Sequence, residues 1–399
     1  MSKKLLQINV TANWGSTGKI TEQIGLLAMS YGWESYIAYG RMMNPSKSKL
    51  IKIGNSLEVY IHYALSRFLD MEGLASRRAT RKLIRDIEQI EPNVVHLHNI
   101  HDHYLNYPIL FEYLASHDIP VVWTQHDQWA TTGHCAFNIV GCERWKFECR
   151  DCPVKERSSL DLCNRNFNLK KKYFTSLKNA TIVTVSDWLK TQIEQSYLGK
   201  YPIKVIKNGV DINVFKPQDT DIKRKYGIGN NKFILGVAHP WSERKALKDY
   251  IELSKLLPKG CIVVLVGLND KQRLNLPENI KGLGATQNLS ELVMLYSMAD
   301  VVLNLSYAET FGLTTVEGFA CGTPSVVYNA TASPELVTPE TGFIVEPGNI
   351  GGVRDAVISI MKNGKNFYSR ACVERAKCYF SSSDKYHEYI NLYEELIKL

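Results

Sequence analysis

Short runs of β-branched and other apolar residues alternate with longer helical stretches along almost the whole chain. The runs that read as strands are 5–10, 35–39, 94–98, 121–125, 181–185, 233–238, 262–267, 301–305, 325–328 and 343–345. Strands of this kind, each followed by a helix, form parallel sheets that are covered on both faces. The first helical stretch supports this interpretation, because Ile20, Ile24, Leu27 and Tyr31 recur at helical spacing. The chain is therefore predicted to be an α/β protein built on parallel sheets.

The alternation is interrupted between residues 208 and 220, a segment rich in turn formers. At 399 residues the chain also exceeds what one hydrophobic core usually supports. We therefore predict two α/β domains, 1–205 and 206–379. The final helix, 380–399, carries an apolar stripe at helical spacing, formed by Tyr386, Tyr389, Ile390, Tyr393, Leu396 and Ile397. We expect this stripe to pack against the first domain.

The net charge of +8 favours an anionic partner, such as a nucleotide, a phosphate-bearing lipid or an acidic membrane face. No apolar run approaches the ~18 residues that a membrane span needs, and the N-terminus reads directly as a strand. These features predict a cytoplasmic location, with peripheral contact at the inner face of the cell membrane left open. The basic residues are dispersed, so no nucleic-acid partner is expected.

The segment 306–318 carries two carboxylates, Glu309 and Glu317, across the junction between a strand and a helix. Ligands bind outside the carboxyl ends of parallel strands, which places Glu309 on a loop over the ligand and Glu317 on the helix behind it. The backbone N–H groups between them, Phe311 to Thr314, suit a phosphate at a helix N-terminus. This pattern indicates a nucleotide-sugar site; the alternative is a surface loop with two solvated acids.

Five of the nine cysteines cluster between residues 133 and 163, in a segment that interrupts the α/β alternation. Four of them, Cys135, Cys142, Cys149 and Cys152, include one C-x₂-C pair and predict a structural zinc site. His134 could replace one of these ligands, and Cys163 is left out. The alternatives are four reduced buried thiols or two disulfides.

Several segments, in a fixed order, together resemble the family 4 type of retaining glycosyltransferase. They are 13–20, 124–127, 185–189, 206–217, 242–247, 266–268, 309–317 and 320–327. The resemblance covers nearly the whole chain and implies the GT-B architecture, in which two Rossmann-like domains with parallel sheets face one another across a cleft. It also implies retention at the anomeric carbon by front-face attack, with the leaving phosphate taking the acceptor's proton and no catalytic metal.

The resemblance assigns donor-binding roles to residues of the second domain. It implies that Glu309 accepts hydrogen bonds from the donor sugar and Glu317 from the ribose, while the backbone of Phe311, Gly312 and Leu313 contacts the sugar and the diphosphate. Lys245, with Arg244, would neutralise the leaving diphosphate, where fixed cations stabilise developing charge. The family often has an arginine where this chain has His239, which leaves one phosphate-binding cation in question.

The resemblance also assigns roles in the first domain. It implies that Gly15, with Gly18, brings the first loop close to the diphosphate, and that His126 faces the transferred sugar. A histidine at the end of a strand could donate a hydrogen bond to a sugar hydroxyl, or it could be a satisfied core histidine. Asp127, His98 and His101 are interpreted as acceptor-side residues rather than as metal ligands.

The expected reaction moves a hexose from a UDP- or GDP-sugar to a saccharide or lipid-linked saccharide, in cell-surface polysaccharide biosynthesis. Two basic stretches, 76–85 and 168–175, are either solvated helix faces or contacts with an anionic membrane. The alternatives are a GT-B nucleotide-sugar epimerase and, more remotely, a nonenzymatic zinc-knuckle protein that binds nucleic acid.

Overall fold

The computed structural model describes residues 2–138, 141–153, 159–286 and 288–398. The chain divides into two compact units, one made of residues 1–207 and 385–399 and the other of residues 208–384. The sequence predicts a boundary at 205/206 and a return to the first domain near residue 380. Both transitions lie a few residues further along the chain than predicted.

The first unit alternates strands and helices in the order of its sequence. Its elements are β1 (Lys3–Asn9), α1 (Gly15–Ser30), β2 (Trp33–Tyr39), β3 (Lys49–Lys52), α2 (Ser56–Leu69), α3 (Arg77–Ile90), β4 (Val94–Leu97), α4 (Tyr107–Ser116), β5 (Val121–Gln125), α5 (Cys163–Phe174), β6 (Ala180–Thr184), α6 (Asp187–Glu194) and β7 (Ile203–Val205). The seven strands form one sheet in the order β3-β2-β1-β4-β5-β6-β7, and each neighbouring pair is parallel. The order reverses beside β1, so the β1–β4 border is where a doubly wound sheet binds ligands.

The second unit repeats this architecture with one strand fewer. Its elements are α7 (Ile222–Lys225), β8 (Lys232–Val237), α8 (Leu247–Leu256), β9 (Cys261–Val266), α9 (Asp270–Arg273), β10 (Ile280–Leu283), α10 (Leu289–Met298), β11 (Val301–Asn304), α11 (Leu313–Ala320), β12 (Ser325–Tyr328), β13 (Gly342–Val345), α12 (Ile350–Asn363), α13 (Lys365–Phe380) and the start of α14 (Ser382–Leu396). Its six strands are parallel in the order β10-β9-β8-β11-β12-β13. The prediction of an α/β protein with two parallel sheets is confirmed.

The sequence did not predict the edge strands β3, β7 and β10. Each is three or four residues long, and most of their residues are only partly buried. Short edge strands that face solvent on one side lack the continuous apolar run of a central strand. Their pairing is therefore decided by the neighbouring strand rather than by their own composition.

Helix α14 returns the chain to the first unit. At the crossover within the second unit, the Val210 N–H donates to the Phe380 carbonyl (2.7 Å) and the Ser382 N–H donates to the Val210 carbonyl (2.9 Å). Beyond it, the apolar stripe is buried except for Ile397, which is half-buried: the Tyr393 hydroxyl lies 2.6 Å from His96 Nδ1, and the Tyr389 hydroxyl lies 3.1 Å from Thr124 Oγ1. The C-terminal helix is thus fixed to strand β4 and to the neighbouring β5. No helix in the described ranges is long and apolar enough to cross a membrane.

We expect Tyr393→Phe to lower the unfolding midpoint of the first unit. The substitution leaves buried His96 Nδ1 without its phenol partner, and an unsatisfied buried polar group costs about 1–3 kcal/mol. Thermal unfolding followed by circular dichroism would measure the shift. Tyr379→Phe is the matched control, since that ring is 60% exposed; equal midpoints for the two variants would contradict this account of α14.

Candidate active site

Glu309 and Lys245 form a largely buried ion pair in the second unit, with the Lys245 side chain 16% exposed and that of Glu309 10% exposed. Glu309 lies in the loop between β11 and α11, and Lys245 ends a short 3₁₀ turn that follows β8. The Lys245 ammonium donates to Glu309 Oε1, and Arg244 Nη1 lies 3.6 Å from Glu309 Oε2. Arg244 also donates to the Ala308 carbonyl at 2.7 Å. Both predicted cations therefore meet the predicted sugar-binding carboxylate at the carboxyl ends of two neighbouring strands.

The electrostatics of this cluster favour a charged carboxylate. Burial alone would raise the pKa of Glu309, but the positive charges of Lys245 and Arg244 outweigh burial and hold that pKa below its ordinary value. Burial lowers the pKa of Lys245, and the charge of Glu309 opposes this effect. The loop is also fixed by its backbone, because the Glu309 N–H donates to Thr331 Oγ1 at 2.7 Å. The Glu309 carboxylate is thus held in a fixed orientation beside the cations of Lys245 and Arg244, in a cluster with little exposure to solvent.

The start of helix α11 lies directly after this loop. Gly312 has φ of +101°, and a Cβ there would lie 3.1 Å from Leu336 Cδ1, so this position requires glycine. Phe311 is buried, and Leu313 begins the helix, whose N-cap Gly312 offers no side chain to the first turn; the Thr315 N–H donates to the Gly312 carbonyl at 3.0 Å. Glu317, one turn further, accepts a hydrogen bond from the Tyr296 hydroxyl at 2.7 Å. This turn is suited to an anion with hydroxyl groups beside it.

A separate cavity of about 350 Å³ lies beside the carboxyl ends of β9 and β10. Its lining includes Tyr226, Val266, Leu283, Thr286, Glu291 and Leu295. The loop after β9 lies close to the backbone that follows β8. A Cβ on Gly267 (φ +94°) would lie 1.9 Å from the Ala238 carbonyl oxygen. The cavity has a largely polar lining, in which the Tyr226 and Thr286 hydroxyls both donate to the Glu291 carboxylate.

In the first unit, His98 and His126 lie at the ends of the adjacent strands β4 and β5. His98 Nδ1 is 3.0 Å from His126 Nε2, and His98 Nε2 is 3.2 Å from Gln7 Oε1. The Gln7 amide donates to the Thr21 carbonyl at 2.8 Å, which fixes the orientation of that amide. His98 Nε2 must therefore carry a proton for Gln7, and His98 Nδ1 accepts the Nε2 proton of His126.

This chain of donors assigns the proton of His126 to Nε2, which donates to His98 Nδ1. The sequence suggests that His126 donates to a sugar hydroxyl; its Nε2 proton is instead directed at His98. His98 is 2% exposed and both its ring nitrogens have partners. Its position differs from the expected acceptor-side role, because it lies beneath His126 and orients that ring.

The histidines of this region differ in charge. Burial lowers the pKa of His126 to about 4 and that of His98 well below its ordinary value. His101 is the opposite case: burial lowers its pKa, but Asp127 and Asp102 more than compensate and raise it well above the ordinary value. His101 Nε2 lies 2.8 Å from Asp127 Oδ2. A neutral imidazole pair therefore lies beside a charged imidazolium–carboxylate pair.

The loop between β1 and α1 contains the two predicted glycines. Gly15 begins α1 with φ of +66°, and a Cβ added there would meet no described atom within 4 Å, so its backbone conformation alone favours glycine. A Cβ on Gly18 would lie 2.6 Å from Thr11 Oγ1. Gly18 therefore permits close packing of α1 on the loop after β1. The space beside Gly15, at the start of α1, is not filled by other described atoms.

The four predicted zinc-binding cysteines line one cavity of about 30 Å³ with His134 and Cys163. Among the described residues, His134, Cys135 and Cys152 place their ligand atoms within 4.8 Å of one another. Cys142 and Cys149 lie outside that closest group. The candidate ligands thus lie where the sequence predicts the site. His134, which the sequence offered only as a replacement ligand, belongs to the closest group of ligand atoms.

Sequence reasoning missed the residues that hold these groups in place. Gln7 orients His98, Thr331 holds the backbone of Glu309, and Tyr296 bonds Glu317. Each lies far along the chain from its partner and belongs to no local motif. Only the three-dimensional arrangement brings them together.

Two family models match this chain. The family described as "Glycosyltransferase Family 4" matches residues 32–214, and the one described as "Glycosyl transferases group 1" matches residues 218–377. Each match covers most of one unit.

Curated relatives agree with these matches. The putative colanic acid biosynthesis glycosyl transferase WcaC of Escherichia coli is 21% identical, covering 98% of this chain and 100% of that protein. The N-acetyl-alpha-D-glucosaminyl L-malate synthase of Bacillus anthracis is 27% identical over 49% of this chain and 54% of that protein, so the match spans about half of its length.

Two solved structures share the fold over nearly the whole chain. Sucrose-phosphate synthase from Thermosynechococcus elongatus has a TM-score of 0.74 at 15% identity and covers 99% of both chains. Anabaena HepE, solved in complex with UDP, has a TM-score of 0.68 at 16% identity and covers 98% of this chain and 100% of that one. The chain therefore belongs to the family 4 glycosyltransferases, enzymes of the GT-B fold, as its motifs implied.

Proposed function

We propose that this enzyme transfers a hexose, with retention, from a UDP- or GDP-sugar to a saccharide or lipid-linked saccharide in cell-surface polysaccharide biosynthesis. The observation that carries this proposal is the cluster of Lys245, Arg244 and Glu309 beside the start of α11. It offers cations for a diphosphate and a carboxylate for sugar hydroxyls within one loop system. HepE, a structural neighbour, has been solved with UDP-glucose.

The second unit supplies the donor site in this proposal. The base occupies the cavity beside β9 and β10, the ribose hydroxyls donate to Glu317, and the diphosphate lies at the N-terminus of α11. Lys245 and Arg244 neutralise the negative charge that grows as the nucleoside diphosphate leaves. These side chains supply the positive charge themselves, so we expect transfer without a catalytic metal; turnover that required added Mg²⁺ would contradict this.

The first unit supplies the acceptor-side groups. His126 lies at the carboxyl end of β5 and faces the transferred sugar, and the His101–Asp127 pair offers polar contacts to the incoming acceptor. No described side chain is assigned as a covalent nucleophile in this scheme. The acceptor hydroxyl attacks the anomeric carbon on the same face of the sugar from which the diphosphate leaves. An oxygen of the departing diphosphate takes the proton of that hydroxyl.

A donor and product assay tests the proposal. The protein would be screened for thermal stabilisation by nucleoside diphosphates, then incubated with the corresponding sugar nucleotide and saccharide acceptors. Release of the nucleoside diphosphate with a product of the donor's anomeric configuration is the expected result. An inverted product would rule out retention, and an epimerised sugar formed without any acceptor would instead favour the epimerase.

Lys245→Ala is expected to reduce kcat by roughly 100-fold or more, because it removes a fixed cation from the leaving group. Glu309→Gln should produce a similar loss, since its amide keeps the shape but not the charge. Steady-state kinetics with the identified donor would measure both. Lys248→Ala is the matched control, because Lys248 is exposed on the adjacent helix α8; wild-type turnover in Lys245→Ala would remove Lys245 from the site.

We expect the pH profile of kcat/KM to show no break near pH 6.5 that depends on His126. Because burial depresses the pKa of His126 to about 4, the ring is neutral above that pH and does not change its charge between pH 5 and pH 8. Rates measured in constant-ionic-strength buffers would test this. A break near pH 6.5 that disappears in His126→Gln would contradict the assignment.

We also propose that the first unit contacts an anionic membrane through α2 and α3. Helix α2 buries His62 and Ser66 but exposes apolar side chains on its outer face: Leu57, Tyr60, Ile61 and Phe68. The exposed residues in the first part of α3 are basic: Arg77, Arg78, Arg81, Lys82 and Arg85; Glu88 and Gln89 are exposed nearer its end. The two helices are joined, since His62 Nδ1 lies 2.8 Å from Ser76 Oγ. An apolar face beside a row of cations fits an acidic lipid surface.

Vesicle sedimentation tests this contact. The enzyme should bind phosphatidylcholine vesicles that contain phosphatidylglycerol far better than pure phosphatidylcholine vesicles, because each basic residue near an anionic surface contributes about 1 kcal/mol. The double variant Tyr60→Ser/Phe68→Ser should bind at least about tenfold more weakly. Phe367→Ser, which alters an exposed phenylalanine of the second unit, is the control. Equal binding to both vesicle types would exclude the proposal.

A further inference from the structure

The cysteine-rich segment forms a compact group of soft metal ligands. His134 Nε2 lies 3.1 Å from Cys152 Sγ, and the ligand atoms of His134, Cys135 and Cys152 all lie within 4.8 Å of one another. In a tetrahedral zinc site, with bonds of about 2.0–2.3 Å, the ligand atoms are roughly 3.3–3.8 Å apart. The group therefore needs only small side-chain movements to surround one ion.

The orientation of His134 points to a metal ligand. Its Nδ1 lies 3.4 Å from the carboxylate of Asp70, which is 3% exposed and ends helix α2. Asp70 Oδ2 also accepts the Leu162 N–H at 3.0 Å, so the carboxylate is held in place. A carboxylate on one ring nitrogen fixes the proton there and directs the lone pair of the other outward, which is the usual support of a zinc-binding histidine. Here that lone pair is directed at Cys152.

The fourth ligand comes from the same cavity. Cys149 forms the C-x₂-C pair with Cys152, lines the cavity, and accepts the Gly133 N–H on its sulfur at 3.3 Å. This hydrogen bond fixes the position of the Cys149 sulfur within the cavity, where a side-chain movement would bring it to the group of His134, Cys135 and Cys152. Cys142 is held in a turn instead, where its N–H donates to Asn138 Oδ1 at 2.9 Å.

We propose that His134, Cys135, Cys149 and Cys152 bind one structural zinc ion, with Asp70 orienting His134. This set replaces Cys142 of the sequence-based expectation with His134. A neighbouring group, Asp70, His134 and Asp161, also has its ligand atoms within 4.8 Å. It is less suited to zinc, because the Asp161 carboxylate already accepts the N–H groups of Cys152 (3.1 Å) and Cys163 (3.2 Å).

A buried lysine can balance the charge of the site: burial lowers the pKa of Lys170 to about 7, and an anionic zinc site beside it would favour the charged form. Three thiolates and one neutral imidazole leave a zinc site with one negative charge, and buried charges need a counter-charge. Lys170 is 1% exposed, and its ammonium donates to the carbonyls of Trp129 (2.7 Å) and Thr132 (3.1 Å). Thr132 lies two residues before His134. The cation is thus placed beside the segment that carries the ligands.

The zinc would hold the segment that follows the catalytic strand β5. Gln128 is attached to the cysteine-rich segment twice: its N–H donates to the Ala136 carbonyl and its Oε1 accepts the Asn138 N–H, each at 2.9 Å. His126 and Asp127 immediately precede it. This consequence rests on the proposed function, whereas the zinc site itself does not.

Metal analysis of the purified full-length protein tests the site directly. We expect one zinc per chain by inductively coupled plasma mass spectrometry, without zinc added during purification. Cys152→Ser should lose it, while Cys378→Ser, an exposed cysteine of the second unit, should retain it. A protein that contains no zinc, and whose cysteines near residue 150 titrate as free thiols or form disulfides, would overturn the proposal.

Two further variants distinguish the ligand sets. We expect Cys142→Ser to keep one zinc and His134→Ala to lose it; the reverse result would establish the four-cysteine site instead. If a variant fails to fold, the wild-type protein loaded with Co²⁺ distinguishes the two ligand sets. Sites with three and with four thiolates give sulfur-to-cobalt charge-transfer bands of different intensity. Zinc removal should lower the unfolding midpoint of the first unit while leaving UDP and GDP binding by the second unit unchanged, which separates this test from that of the proposed function.

Discussion

The parallel direction of every strand is the constraint on which the functional arrangement depends. Because all strands of a sheet end at the same edge, the residues that follow them are brought together without being near in sequence. In the first unit this edge collects the loop of Gly15 after β1, His98 after β4 and His126 after β5. In the second it collects Lys245 after β8 and Glu309 after β11.

The burial of the residues at each sheet edge, together with their charged neighbours, determines whether their side chains are ionised. Burial keeps His98 and His126 neutral, and in His126 it outweighs the nearby charge of Asp127; His101 becomes charged because Asp127 and Asp102 both face it. Glu309 stays ionised because two cations face it. Residues of one type therefore acquire different chemistry from their neighbours, which is information that the identity of a residue does not contain.

This difference explains how far the sequence could lead. The central strands, the loop of Glu309 and the start of α11 follow from local patterns, since β-branched runs and a glycine before a helix act through their own backbone. Gln7, which sets the proton position on His126, lies in β1 and reads as one polar residue in an apolar strand. Asp70 reads as a helix end. Their roles arise from contacts across the sheet or across a loop, and no periodicity encodes such contacts.

The ion pair of Lys245 and Glu309 has a consequence for ligand binding. Removing one partner from a fully buried pair costs about 3–5 kcal/mol; here the cost is reduced, because Arg244 remains 3.6 Å from the Glu309 carboxylate. A diphosphate that attracts Lys245 away from Glu309 would incur such a cost unless the carboxylate gains new donors. The hydroxyl groups of a sugar attached to that diphosphate supply them. The pair therefore favours a ligand that carries an anion and hydroxyl donors at a fixed separation, and a nucleotide sugar has this form.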